Sequence, residues 1–517
     1  MDTQSSKEHS IGNESNASNR VVRPNLAAMQ LQLLPSDVLR DVLSRLSLKD
    51  VVRMSILSPE WRQLKICHPD LVFTKDTFSN CTTENTEHRE HMTFDELMEF
   101  KAKKLERLSR QFIKNVDNVL RPLWYTPTAT TTTLEKFAVK FGLRKKHRYH
   151  IDRWVSFSAL SKAKDIALDF ASDDEICSGS KYDKYNYALP LSNFTGPNGS
   201  CVRSLYLGNI HLELPPSFCG ITNLKKLTLN AVSINGDDLQ CMLLRCALLE
   251  NLSIDWCSSL STLRIPQELC RLQDLHVRYT HLEIELHASN LKTFEFDDYV
   301  QQVLLNQCLK LSEATFVSNM RAGEFDEYGF DFTFTELPPG LPHVHKLFLL
   351  LNVDQVLRFS ENQSRFINLR HLNMNLEIFF YPPDNSWAVG FVNLLELAPL
   401  LEELELHLGR DRFCPSAIRT ATAMQGPLHR HLKNVYMTGF CEVLGLAELA
   451  LYILGNSTAL KSMVVDPAAY SDPWNDDIYS VSKGGSSEEC QDLINQKRMF
   501  AENNLYREEF CHILTIL

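Results

Sequence analysis

The chain has 517 residues, of which 44% are hydrophobic and 23% charged, with a net charge of −11. That hydrophobic fraction fills a sizeable core and excludes a disordered chain, while the length calls for several units or one elongated repeat array. The acidic balance argues against a general nucleic-acid binder. Residues 1–28 are polar, contain no apolar stretch of signal-peptide type, and read as a disordered tail.

The first ordered pattern is "LLPSDVLRDVLSRLSLKDVVRMSILSPEWRQL", from Leu33 to Leu64. Pro35 suits a helix start, where its missing N–H would be unpaired anyway. Val38, Leu39, Val42, Leu43 and Leu46 then recur on one helical face. Ser47 is placed to cap a second helix, with Asp50 as its capping-box partner, and Val51, Val52 and Ile56 give that helix an apolar side. Ser58 and Pro59 open a third helix, followed by Trp61, Leu64 and His68 at helical spacing. A unit this small supplies only about 3–5 kcal/mol by itself. It is expected to bury its remaining apolar face on another surface.

The order Leu34-Pro35, apolar helix, Leu57-Ser58-Pro59-Glu60-Trp61 resembles an F-box. Pro59 departs from the family, which more often has a basic or polar residue there. The resemblance implies binding to the Skp-type adaptor of Skp–cullin–F-box ubiquitin ligases, and through it to cullin. It makes Leu34, Pro35, Leu39, Leu46, Val52 and Trp61 the adaptor-binding or motif-core positions. The F-box is expected over residues 29–73.

Residues 74–150 read as a linker helix and an N-terminal cap. "TFDELMEFKAKKLERLSRQFIKNVDNVLRP" is helical at first, the stretch from Thr126 is low-complexity, and "LEKFAVKFGL" alternates like a strand that covers an edge. "LRKKHRYH", Leu143–His150, is a short basic run, read as a solvated turn into the next helix, with a nuclear signal as the alternative.

From residue 151 a six-residue core of L-x-x-L-x-L type keeps returning. "VRSLYL", "LKKLTL", "LENLSI", "LQDLHV", "LKTFEF", "VHKLFL", "LRHLNM", "LEELEL" and "LKNVYM" are members, and "AKDIAL" at Ala163 is a plausible first one. The intervals, mostly about 20–30 residues, fit leucine-rich repeats with insertions. The last two apolar residues of each core point inward from a short strand, and helical segments such as "DDLQCMLLRCALLENL" form the return wall. Each unit leaves a face open that stacking closes. The array is expected over residues 151–467. Its end, about 425–467, resembles the FBD-type region of plant F-box proteins with leucine-rich repeats, as the organisation does as a whole. Residues 468–517 are a tail with a possible helix. The fold class is therefore α/β: a three-helix F-box, then an irregular solenoid with a parallel sheet on its concave face.

No nucleophile elbow, zinc-protease motif, phosphate loop or calcium loop occurs, so no catalytic residue, metal or cofactor is expected. His343 and His345 lack further ligands and read as surface histidines. The 14 cysteines include no C-x-x-C pair, and most, such as Cys246, Cys270 and Cys308, sit in apolar segments as free thiols of a reducing compartment. "LGLAELALYILG" is too short to span a membrane and carries Glu448. Neither nucleic acid nor membrane is expected as a partner.

The expectation is a non-enzymatic substrate receptor of the cytoplasm or nucleus, holding an adaptor at one end and a protein target on the repeats. A small-molecule sensor using the repeat cavity, or an F-box scaffold that does not promote degradation, are the alternatives. The outward residues of the strands pick out Tyr206, Thr228, Ser253, His276, Glu295, Thr315, Phe348, Asn373, Glu405 and Tyr436, flanked by Asp255, Asp274, Arg278, Asp297 and Asn375. Tyr206, Phe348 and Tyr436 are expected as aromatic anchors. His276, Glu295 and Asp297 fall in a mostly acidic centre that would steer a basic target.

Overall fold

A computed structural model describes residues 35–54, 68–78, 93–124, 134–171, 186–195, 201–280, 282–297, 303–306, 308–317, 340–352, 365–378, 385–410, 424, 426–468 and 487–517. The chain divides into two compact units, Met1–His68 and Pro69–Leu517.

In the first unit Pro35 precedes the helix Ser36–Ser44, and a second helix runs from Leu48 to Met54. Ser47 Oγ accepts from the Asp50 backbone N–H at 3.2 Å and donates to the Asp50 carboxylate, which closes that helix start as the sequence implies. Leu43, Leu48 and Val51 are buried, and the imidazole of His68, also buried, lies 3.1 Å from the Leu46 carbonyl oxygen. The third helix expected around Trp61 lies outside the described residues.

The second unit is built on one parallel sheet of fifteen strands among the described residues. The strands follow one another across the sheet: Asp70–Thr74, Lys136–Lys140, Asp165–Asp169, Ser204–Gly208, Lys226–Asn230, Asn251–Asp255, Asp274–Arg278 and Thr293–Asp297. Glu313–Val317, Lys346–Asn352, His371–Ile378, Glu403–Arg410, Asn434–Thr438, Ser462–Asp466 and Leu514–Ile516 complete it. Each unit therefore stacks on its predecessor, as a solenoid requires. A backbone ladder ties the strand entries together: Lys225 N–H donates to the Arg203 carbonyl, Glu250 to Lys225, Gln273 to Glu250 and Lys292 to Gln273, each at 2.7–2.8 Å.

Alternation does the rest. Leu227 and Leu229, Leu252 and Ile254, Leu275 and Val277, and Phe294 and Phe296 are all buried on the inner side. The return wall is partly helical, at Gly236–Leu244, Ser386–Leu397 and Leu446–Asn456, and partly a second sheet of Thr262–Ile265, Glu283–His287 and Val303–Asn306. Asn235 caps the first of these helices by accepting the Asp238 N–H at 2.7 Å. Cys257 sits under the loop after its strand, its thiol 3.4 Å from the Asp255 carbonyl oxygen, and burial pushes that thiol up to about 12.

Three boundaries differ from the sequence reading. Asp70–Thr74, expected at the end of the F-box, opens the sheet of the second unit. Lys136–Lys140, expected to cover the edge, is the second strand, so the sheet starts before residue 151. At the other end the tail holds the helix Ser487–Leu505 and also a strand, Leu514–Ile516, paired with Ser462–Asp466. Isolated strands of three to five residues carry no repeat signal, and their pairing is set by the neighbour they complete.

Tyr187 packs fully buried and donates its hydroxyl to Asp152 Oδ1 at 2.5 Å. Tyr187→Phe keeps the ring and loses that bond, so urea unfolding is expected to show a loss of about 1.5 kcal/mol, at the low end for a bond to a charged group because Asp152 is partly exposed. None of the nine cysteines whose side chains are described forms a disulfide, and Cys246, Cys257, Cys308 and Cys441 are buried. Cys270 is exposed, because it lies at the surface turn before its strand. Thiol titration in denaturant, with no reductant used in isolation, should return nearly all 14 thiols; several stable disulfides would contradict the expected reducing compartment.

Candidate functional site

The strand pairing places the outward residues in one row across the sheet. Tyr206 pairs with Thr228, Thr228 with Ser253, Ser253 with His276, His276 with Glu295 and Glu295 with Thr315. Thr315 then pairs with Phe348, Phe348 with Asn373, Asn373 with Glu405 and Glu405 with Tyr436. Two residues on, Asp255, Arg278 and Asp297 form a parallel row. Residues far apart in sequence thus share one face because side-chain alternation and a constant register act together.

The centre of the face differs from the expected open acidic stripe. Glu295 is 7% exposed and Asp297 3% exposed. Glu295 takes an ion pair from Arg278 and a contact of 2.8 Å from His276 Nδ1. Ser253 Oγ donates to Asp255 Oδ2 at 2.8 Å, and burial raises the Asp255 carboxyl above the usual carboxylate range. Side chains on adjacent strands stand about 5 Å apart, so long charged groups in one row close over one another and neutralise in pairs.

The flanks are more open. Tyr206, Phe348 and Tyr436 are half-buried. Asn230 Nδ2 donates to the Tyr206 hydroxyl at 3.1 Å, Lys140 lies over its ring at 5.4 Å, and burial pushes its hydroxyl up to about 12. Glu405 joins its row, accepting from Asn373 Nδ2 at 2.7 Å and lying 2.9 Å from His371 Nε2. For a target seated on this row, Phe348→Ala would raise the dissociation rate about ten-fold or more with little loss of fold, as for an aromatic anchor; surface plasmon resonance reads it.

The sequence reading missed the rim. Asn209, Ala231, Trp256 and Tyr279, each the residue after its strand, have φ between 50° and 56°. Their N–H groups donate to the last carbonyl of the next strand: Ala231 to Asp255, Trp256 to Arg278, Tyr279 to Asp297. At the equivalent position after Asn434–Thr438 stands Gly439, where a Cβ would lie 2.3 Å from the Leu408 carbonyl oxygen. Bulky residues rarely accept this conformation. Trp256 and Tyr279 do, stacked with ring centroids 4.2 Å apart and half-exposed beside the concave face. The signal in the sequence is positional: an aromatic directly after "LSID" and "LHVR".

Of the adaptor-side residues, Pro35 is exposed, Leu46 and Val52 are half-buried, and Leu39 lies on the first helix. Leu34 and Trp61 lie outside the described residues. His343 and His345 are exposed, and no cluster of metal-binding side chains occurs among the described residues. No described helix is long and apolar enough to cross a membrane.

A short N-terminal helical unit followed in the chain by a long parallel repeat sheet agrees with an F-box protein with leucine-rich repeats. The family model described as "At1g61320/AtMIF1, LRR domain" matches residues 130–506 and the F-box domain model matches residues 31–65, so the chain belongs to this leucine-rich-repeat family and carries an F-box. It is similar to F-box/FBD/LRR-repeat protein At1g13570 of Arabidopsis thaliana, 21% identical over 384 residues, or 72% of this chain and 74% of that one. The putative F-box/FBD/LRR-repeat protein At5g56810 of the same plant is 23% identical over 449 residues, covering 84% and 89%. F-box/LRR-repeat protein 13 is 26% identical over 299 residues, 54% of each chain. The FBD names agree with the resemblance at the C-terminal end of the repeats. An F-box joined to leucine-rich repeats supports a substrate-receptor role.

Proposed function

We propose that the chain is the substrate-recognition subunit of a Skp–cullin–F-box ubiquitin ligase. The observation that carries this reading is the joining of an F-box, residues 31–65, to a repeat domain, residues 130–506, in one chain. The F-box holds a Skp-type adaptor and through it cullin. The concave row, with Tyr206, Phe348 and Tyr436 as anchors on either side of the largely buried His276, Glu295 and Asp297, holds a protein target. In this reading the chain contributes no catalytic group: the complex transfers ubiquitin, and this chain positions the acceptor. Free thiols suit the cytoplasm or nucleus, where we place it.

Affinity purification of the full chain with and without proteasome inhibition tests the reading. Adaptor and cullin should co-purify under both conditions, and a target should accumulate only under inhibition. Capture without any change on inhibition would favour a scaffold that does not promote degradation. Capture that requires an added small molecule would favour a sensor.

A further inference from the structure

The basic run after Leu143 is used by neither adaptor nor target in the reading above. It forms one wall of a cleft of about 470 Å³. The other wall is the helix Phe94–Trp124, from which Arg110, Lys114, Asp117 and Arg121 face the cleft at helical spacing. Lys146, His147 and His150 face it from the run itself. A second cleft, of about 460 Å³, shares Arg110 and Lys146 and continues towards Lys103.

Four Arg or Lys and two carboxylates line the first cleft, in a chain whose net charge is −11. Both carboxylates are engaged. Glu106 pairs with Lys146 and, at 3.1 Å, with Arg110. Asp117 accepts from Trp154 Nε1 at 2.8 Å and lies 2.8 Å from His150 Nδ1. Lys114 and Arg121 have no carboxylate partner among the described residues.

His147 supplies the independent observation. It is 8% exposed, and its Nδ1 accepts the Arg144 backbone N–H at 3.2 Å. That bond fixes the tautomer, so the proton sits on Nε2. Nε2 is buried and has no hydrogen-bond partner among the described residues. Burial and the neighbouring Lys146 hold the imidazole below its ordinary value, which keeps it neutral and Nε2 a donor. His147 is also the N-cap of helix Arg148–Leu160, which has no side-chain cap and no acid in its first turn, so its N–H groups add positive potential.

We propose that this cleft binds the phosphate group of a small soluble phosphorylated compound, with the His147 Nε2–H as a neutral donor and Lys114 and Arg121 as the charges. Two walls of donors need an acceptor that accepts in several directions at once. A tetrahedral phosphate does so, whereas a planar carboxylate offers its oxygens to one side. The proposal is independent of the adaptor and target sites.

Isothermal titration of the full chain with inorganic phosphate and pyrophosphate at fixed ionic strength tests it. Saturable, single-site binding is expected, tighter for pyrophosphate. K114Q/R121Q, two exposed changes, should weaken it about ten-fold or more. K226Q/R271Q, an equal loss of charge on the repeats, should change it by less than about two-fold. His147→Phe should weaken it without altering the circular dichroism spectrum; if that variant unfolds, K114Q/R121Q decides. No saturable heat, an equal loss in the control variant, equal binding of polyglutamate, or binding only of phosphatidic acid vesicles would each overturn the proposal.

Discussion

Glu295→Lys should destabilise the repeat domain by about 3 kcal/mol, read as a lowered urea midpoint. The expectation follows from burial. Glu295 lies at the centre of the sheet, 7% exposed, and receives Arg278 and the His276 imidazole. Removing one partner of a buried ion pair costs about 3–5 kcal/mol, because the other charge stays behind without compensation. The Arg278 and His276 side chains are about a third exposed, which pulls the cost to the lower end. A lysine puts a further cation beside them and restores some of the cost. Glu295→Gln, which keeps an acceptor, should lose less than half as much. On sequence alone this residue looks like an exposed steering charge, and reversal would slow target association while the fold stayed intact. The two cases separate cleanly. An unchanged urea midpoint together with a slower, less salt-dependent association would show that Glu295 acts as a steering charge and not as a structural partner of Arg278.

That contrast marks what the sequence could carry. The repeat core was legible because alternation and near-constant spacing are one-dimensional properties: ten strand residues chosen from the motif fall in one register row. The cap at Ser47 and the helix Gly236–Leu244 were legible for the same reason, since capping and amphipathicity are local. Exposure was not. Whether Glu295 faces solvent depends on Arg278 one strand away, a neighbour set by curvature and side-chain length. Nor were the edges. Asp70–Thr74 and Leu514–Ile516 become strands only because an adjoining strand offers them its backbone groups. Trp256 and Tyr279 were missed on different grounds. Nothing in an isolated "DWC" announces a left-handed backbone, which follows from the turn that each repeat must make to leave its strand.

Replacing Leu34 and Pro35 together by Ala should remove the chain from its adaptor. Apolar anchors at the centre of an interface are worth about 2 kcal/mol or more each, so the double change is expected to weaken the complex by several kcal/mol. The neighbouring helix gives the physical setting. Leu43 is buried on its inner side, while Val38 and Val42, one turn apart, are 43% and 39% exposed. A small unit that leaves such residues outside has apolar surface to give to a partner. V38D/V42D should therefore weaken adaptor binding too, without unfolding the repeats, which form a separate unit. Trp61→Ala should be at least as damaging, by about 3–5 kcal/mol, but through folding of the motif, as for loss of a core tryptophan. Co-purification with a Skp-type adaptor, run beside circular dichroism, distinguishes the two routes. The Leu34/Pro35 and Val38/Val42 variants should lose the adaptor and keep their spectra. Adaptor recovered at wild-type yield with the Leu34/Pro35 variant would remove the F-box assignment. It would leave the repeat sheet, and any target on its concave row, to be explained without a ligase.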